Sequence, residues 1–233
     1  MLNNIFSSQA LAEALDILKK EFPLAIWETF YVTVLATLFA FLIGLPLGVL
    51  LAVSDKNGVR PLPKALTLIL NFIVNVLRSV PFLILMILVI PLTRLIVGTS
   101  VGTMASVVPL TIAAFPFVAR LVESSIRGVN SSIVEAAQSM GASPLQIIVK
   151  VLLPESFPSI VSNVTLTLTT VLGYTAMSGI IGGGGLGKIA INYGYYRYKH
   201  LVMLLAVVLL IVLVQVFQSV GSYVAKKCDK RLK

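Results

Sequence analysis

Few residues of this chain could carry out chemistry. It has one histidine, His200, one cysteine, Cys228, and nine acids among 233 residues. A Cys/His metal site or a disulfide framework cannot be assembled from that set within one chain. The expectation is no catalytic residue, no metal and no cofactor here. The segment "GGGGLGK" at 182–188 imitates the phosphate-binding pattern G-x-x-x-x-G-K. Ile189 stands where that pattern needs a magnesium-holding Ser or Thr, and no soluble strand precedes it. It reads instead as a flexible turn. Glu28 and Glu123 lie near the ends of apolar stretches, so no carboxylate sits mid-membrane, where a proton-coupled transporter would usually keep one.

The chain around these residues is mostly apolar: 58% hydrophobic and 12% charged, where soluble domains carry roughly 25% charge. It reads as an all-α, polytopic transmembrane helical bundle. A helix needs ~20 residues to cross ~30 Å of hydrocarbon, and five stretches qualify, at 24–53, 65–97, 101–128, 157–181 and 201–225. Arg78 and Pro81 interrupt the second, which divides into a cytoplasmic portion, 62–79, and a membrane-buried portion, 80–97. Arg78 and Arg94 are then interfacial, their stems snorkelling. Pro46, Pro81, Pro91, Pro109 and Pro116 can kink their helices.

The net charge of +9 raises a nucleic-acid reading, which the placement of the charges rejects. Lys56, Arg60 and Lys64 follow span one, Arg120, Arg127 and Lys150 flank the link between spans three and four, and Lys226, Lys227, Lys230, Arg231 and Lys233 close the chain. With five spans all three groups fall on one side, which the positive-inside rule makes cytoplasmic. The N-terminus is then outside and the C-terminus inside. The first twenty residues lack the basic start, apolar core and small-residue site of a cleaved signal peptide.

The polar interruption "EAAQSMGASP" (135–144) therefore falls in a cytoplasmic loop. Ser132 and Glu135 have the spacing of a capping box that starts a short helix. Ile133, Ala136, Ala137 and Met140 form one apolar stripe. Gly141 stops the helix as a left-handed residue just past its end. Ser143, Pro144 and Gln146 then start a second helix, with proline at its first position, running to Pro154. The first helix is ~12 Å long at 1.5 Å per residue and cannot span. Its stripe docks either on its own protein's cytoplasmic end or on a partner.

"EAAQSMGASPLQIIVKVLLP" resembles the EAA loop of ABC importer permeases: EAA, three residues, glycine, nine residues, a β-branched apolar residue, one more, then Leu-Pro. Glu135, Ala136, Ala137, Gly141, Leu153 and Pro154 match, and Val151 stands where isoleucine is usual. The resemblance implies a coupling helix seated on a separate ATPase subunit, with Met140, Ser143 and Pro144 in the same loop, about 131–154. "GLPLGVLL" (44–51), "RSVPFLILMILVIPLTRLIVGTS" (78–100), "VPLTIAAFPFVARLVESS" (108–125) and "GYTAMSGIIGGGGLGKIAINYGY" (173–195) are similar to the methionine branch of that family.

Span four carries Ser162, Thr165, Thr169 and Gly173 on one face, with Ala176 and Met177 next along it. Such residues either mediate helix packing in membranes or form a mildly polar wall of a translocation path. The resemblance favours the second use, near a dimer axis, with Tyr174 and Met177 lining the path or gate. The sum is a single permease domain over 1–233. The resemblance implies a homodimer in the cytoplasmic (inner) membrane of a prokaryote. Its implied partners are two cytoplasmic ATPases holding ATP and magnesium, an extracytoplasmic methionine-binding protein or lipoprotein, and the lipid bilayer. Nucleic acid is not among them. The alternatives are an importer of another amino acid or small organic solute, an ATP-independent secondary transporter or channel, and a membrane scaffold.

Overall fold

The structure is a computed structural model that describes residues 8–54 and 58–228. Lys56, Lys230, Arg231 and Lys233, part of the expected cytoplasmic charge, lie outside the described residues. Helix α1 is Ser8–Lys20, α2 Phe22–Val53, α3 Lys64–Ser79, α4 Phe82–Leu88, α5 Ile90–Val97, α6 Thr103–Arg127 and α7 Ser131–Ser139. The short α8, Pro144–Ile147, runs through a π-helical stretch, Ile148–Leu152, into α9, Leu153–Ser178. A 3-10 turn, Gly179–Ile181, precedes α10, Gly185–Ile189, which continues as a second π-helical stretch, Ala190–Tyr196; α11, His200–Cys228, ends the described chain. The all-α expectation holds among the described residues.

Among the described residues, four helical stretches are long and apolar enough to cross a membrane: Phe22–Val53, Thr103–Arg127, Pro144–Ile181 and His200–Cys228. A fifth span exists only if the broken pair Lys64–Ser79 and Phe82–Leu88 counts as one. The break falls where the sequence puts it. Val80 is extended at ψ 126, as a residue before proline must be, and Pro81 sits at the cap of α4.

The helix that carries span four differs from expectation at its start. The second loop helix does not end at Pro154 but is continuous from Pro144 to Ile181. The reason is local. The amide of Leu153 bonds to the Ile148 carbonyl, five residues back. This widened turn absorbs the register defect of a proline that lacks an N–H and would crowd the carbonyl four residues earlier.

The chain divides into two compact units: residues 1–37, 81–112 and 168–218 in the first, and 38–80, 113–167 and 219–233 in the second. The first has an apolar core of Ala14, Ile17, Phe22, Ala25, Leu186, Ile189, Val202 and Ala206. Thr29 and Thr33 of α2 return their hydroxyls to the carbonyls of Ala25 (2.8 Å) and Thr29 (2.7 Å), so these buried polar groups are satisfied within the helix. Trp27, Phe30 and Tyr31 cluster near the start of α2, with Trp27 60% exposed, the signature of a membrane–water interface.

The second unit is built on close approach. A Cβ at Gly44 would stand 2.7 Å from the Phe115 carbonyl oxygen, and one at Gly48 2.5 Å from that of Ala119. Two glycines four residues apart thus form a groove on α2 that admits α6, the usual use of small residues in membranes. Leu51, Val74 and Ala119 form the adjoining buried cluster.

Candidate functional site

The loop helix α7 starts two residues earlier than its sequence suggests. Asn130, not Ser132, is the N-cap; its side chain accepts from the Ser132 amide at 3.0 Å, so the expected Ser132–Glu135 capping box does not form. Asn130, Ser131 and Ser132 are all capable caps, and the first one won. The other end agrees with expectation. Gly141 is left-handed at φ +78. Its amide bonds to the Gln138 carbonyl (2.9 Å), and that of Ala142 to Ala137 (3.1 Å), the two bonds of a Schellman stop. Ser143 then caps α8 in a reciprocal box with Gln146. The turn between α7 and α8 is therefore hydrogen-bonded throughout.

The apolar stripe on α7 is not one surface. Ala137 is buried within its own unit, whereas Glu135, Ala136, Gly141, Ser143 and Pro144 are exposed, as are Ile133, Met140 at 82% and Leu145. Ala137 therefore anchors the helix, and a partner can reach only the exposed set. Leu153 is half-buried and Pro154 exposed at the head of α9, where they belong to the helix rather than to the loop.

The span-four residues also separate. Thr165 is buried, and a Cβ at Gly221 of α11 would meet its hydroxyl at 2.0 Å. That is packing, and it removes Thr165 from any open wall in this chain. Ser162 is exposed and donates to the Pro158 carbonyl (3.2 Å). Thr169 is half-buried. Gly173 faces open space and Met177 is 45% exposed. Tyr174 lies flat on Phe82 of α4, centroids 4.4 Å apart with planes 7° from parallel. Of the five expected path residues, Ser162 and Met177 present open surface.

The glycine-rich segment is not a flexible turn. Gly182 and Gly185 are left-handed, and Gly183, Gly185 and Gly187 are buried. The Glu28 carboxylate accepts from the Gly185 amide (2.7 Å) and the Thr103 hydroxyl (2.9 Å). The Thr29 hydroxyl accepts from the Leu186 amide (2.9 Å). Packed backbone of this kind must have its polar groups paired, and α2 supplies the acceptors. Tyr193, further along, donates to Glu21. That bond, with burial second, raises the phenol above its usual pKa, because the neighbouring carboxylate disfavours phenolate.

Sequence reasoning missed a second polar cluster. Arg120 bonds to Glu123 (2.6 Å) and to the Asn75 side-chain oxygen (2.8 Å), and Arg127 bonds to the other oxygen of Glu123 (2.8 Å). Asn163 of α9 donates to Ser125 (2.7 Å) and to the Leu121 carbonyl (3.1 Å). The signal was present: Arg120, Glu123 and Arg127 are spaced three and four apart on one helix, the separation at which side chains meet. Arg78 and Arg94 are exposed, and Arg94 donates to Ser100 (3.3 Å).

A short capped helix leading into a long, glycine-packed helical chain has relatives. Residues 44–230 match the family described as the binding-protein-dependent transport system inner membrane component. A Vibrio cholerae protein named probable D-methionine transport system permease protein MetI is 53% identical over 210 residues, which are 89% of this chain and 92% of that one. The D-methionine transport system permease protein MetI of Escherichia coli K12 is 47% identical over 154 residues, 66% of this chain and 70% of its own. Among solved structures, a chain of the MetNI methionine ABC transporter in an inward-facing conformation superposes with a TM-score of 0.86 at 44% identity, covering 88% of this chain and 95% of that one. On the length of the family match and the identity of these relatives, the chain belongs to the family of binding-protein-dependent transport system inner membrane components.

Proposed function

We propose that this chain is the membrane permease of an ATP-driven importer that carries methionine, as L- and D-isomers, into the cytoplasm of a prokaryote. One observation carries the reading. The short helix α7, with Ala136 and Met140 exposed, is joined by a fully bonded turn to a helix that runs unbroken into span four. A push on α7 has no loose joint to dissipate in before it reaches that helix. The relatives named for methionine transport support the substrate.

The whole chain acts as one permease domain, and two copies form the path. Each copy presents α7, Gly141 and the Ser143–Pro144 cap to one of two cytoplasmic ATPases, which hold ATP and magnesium. An extracytoplasmic binding protein delivers the solute. The N-terminus lies outside and the basic C-terminus inside. Nucleotide binding draws the ATPases together, the two α7 helices follow, and span four tilts to open the path outward; hydrolysis returns it inward. Ser162, Thr169, Tyr174 and Met177 line or gate that path, and the solute passes chemically unchanged.

Because Ala137 is buried, a charge there would disturb the permease itself, so the docking test belongs on Met140 and Ala136. A methionine side chain fully buried on a partner contributes about 1.5–3 kcal/mol. Met140→Asp is therefore expected to weaken ATPase attachment at least tenfold, with permease expression and melting unchanged. Co-purification with the tagged ATPase measures it, and an intact complex at normal yield would place the docking face elsewhere. Gly141→Val is expected to cost about 1–2 kcal/mol from the left-handed backbone alone. No atom crowds that position, so Gly141→Ala should cost nearly as much. A melting curve that separates the two variants widely would show that sterics dominate.

A further inference from the structure

In the first unit, a cleft of about 270 Å³ lies between the start of α2 and the segment 185–193. We propose that it binds a small zwitterion, a primary ammonium a few atoms from an anionic group, for which a free α-amino acid and a phosphatidylethanolamine headgroup are the two sources. Its walls carry opposite charge. Glu21 and Glu28 come from the α2 side, beside Lys20, whose ammonium is paired with Asp16 at 2.9 Å and so leaves that wall acidic, and Lys188 and Asn192 come from the other. The two acids are seven residues apart and the two donors four, so each pair lies along one helical face. A ligand bearing both charges satisfies both walls, while a simple anion or cation leaves one wall opposed to it.

The carboxylate wall is held in place. Glu28 is fixed by the Gly185 amide and the Thr103 hydroxyl, and Glu21 by Tyr193. Each carboxylate oxygen retains a second acceptor site, which is what an ammonium requires. On the other wall, the side chains of Lys188 and Asn192 donate to no protein group among the described residues. Leu24, Ala25 and Ile189 supply an apolar floor suited to an aliphatic side chain or to the glycerol end of a lipid. The volume exceeds that of several waters at about 30 Å³ each, enough for an amino acid. The aromatic group around Trp27 sits beside the cleft in sequence, at the level where headgroups lie.

The site owes nothing to nucleotide or to the path residues, so its test is independent of the transport reading. The protein is placed in nanodiscs of phosphatidylglycerol alone, and equilibrium binding of labelled L-methionine, L-leucine and glycine is measured for the wild type, Lys188→Met and Glu21→Gln. The second arm adds phosphatidylethanolamine and scores lipid retention by native mass spectrometry. Losing one charge-assisted hydrogen bond should weaken the ligand about tenfold or more. Saturable amino-acid binding weakened this much by both variants identifies the free solute. Phosphatidylethanolamine retention weakened by both, without amino-acid binding, identifies the lipid. Both variant positions are exposed, and unchanged melting confirms that they fold. Binding that both variants leave intact, or no binding in either arm, overturns the proposal.

Discussion

Gly187→Ala is expected to destabilise the protein by about 3 kcal/mol or more, at the upper end of overpacking penalties. An added Cβ would stand 2.4 Å from the Ala176 carbonyl oxygen and 2.7 Å from its Cα. These are backbone atoms and cannot rotate away. The opposing surface is just as tight, since a Cβ at Gly179 would meet the Gly187 carbonyl carbon and the Lys188 amide nitrogen, each at 2.5 Å. Two backbones are in direct contact, and one methyl group must separate them. For a chain of this length the loss corresponds to about 6–12 °C in melting temperature. Gly173→Ala is the control. Nothing lies within 4 Å of that position, and alanine favours a helix over glycine by about 1 kcal/mol, so the melting point should stay level or rise. Equal shifts in detergent-solubilised protein would refute the close crossing.

The second large effect is at Glu123. Its carboxylate is 9% exposed and lies between Arg120, 21% exposed, and Arg127, 47% exposed. Glu123→Ala leaves two guanidinium groups without their shared acceptor, and removing one partner of a buried pair costs about 3–5 kcal/mol. The Arg127 contact is largely solvated, so Arg127→Gln should cost about 1 kcal/mol or less. Arg120→Met should fall between them, because Asn75 also loses its donor. The double variant Arg120→Met/Glu123→Ala should cost less than the sum of the singles, since each removes the other's unpaired charge. Strict additivity in thermal melts would mean that the cluster is not a unit.

The parts of the fold readable from sequence were those with a dominant local cause. Apolar length specified the long helices, Pro81 the break in span two, and Gly141 and Ser143 the turn after the loop helix. Asn130 was missed because three capable caps stand in a row, and spacing alone does not rank them. Pro154 reads as an end in sequence because proline usually is one; a π-turn, invisible to periodicity, carries the helix through it. Ala137 and Thr165 have residue types suited to docking or to a polar wall, yet both are buried, and burial depends on what the neighbouring helix presents. The glycine run reads in sequence as slack chain, although four glycines also permit the closest packing. Its partners, Glu28 and Thr29, lie 157 residues away in sequence, beyond any local pattern.

The central claim, a permease driven by a separate ATPase to import methionine, is tested most directly by uptake into proteoliposomes. The chain is reconstituted with its ATPase and binding protein, and labelled L- and D-methionine are followed with ATP or a non-hydrolysable analogue. The account predicts accumulation that requires hydrolysable ATP and both partners, is competed by unlabelled methionine above other amino acids, and is lost with Met140→Asp. Equal transport by this chain alone without nucleotide would contradict it, and ATP-driven transport that methionine neither enters nor competes with would contradict the substrate.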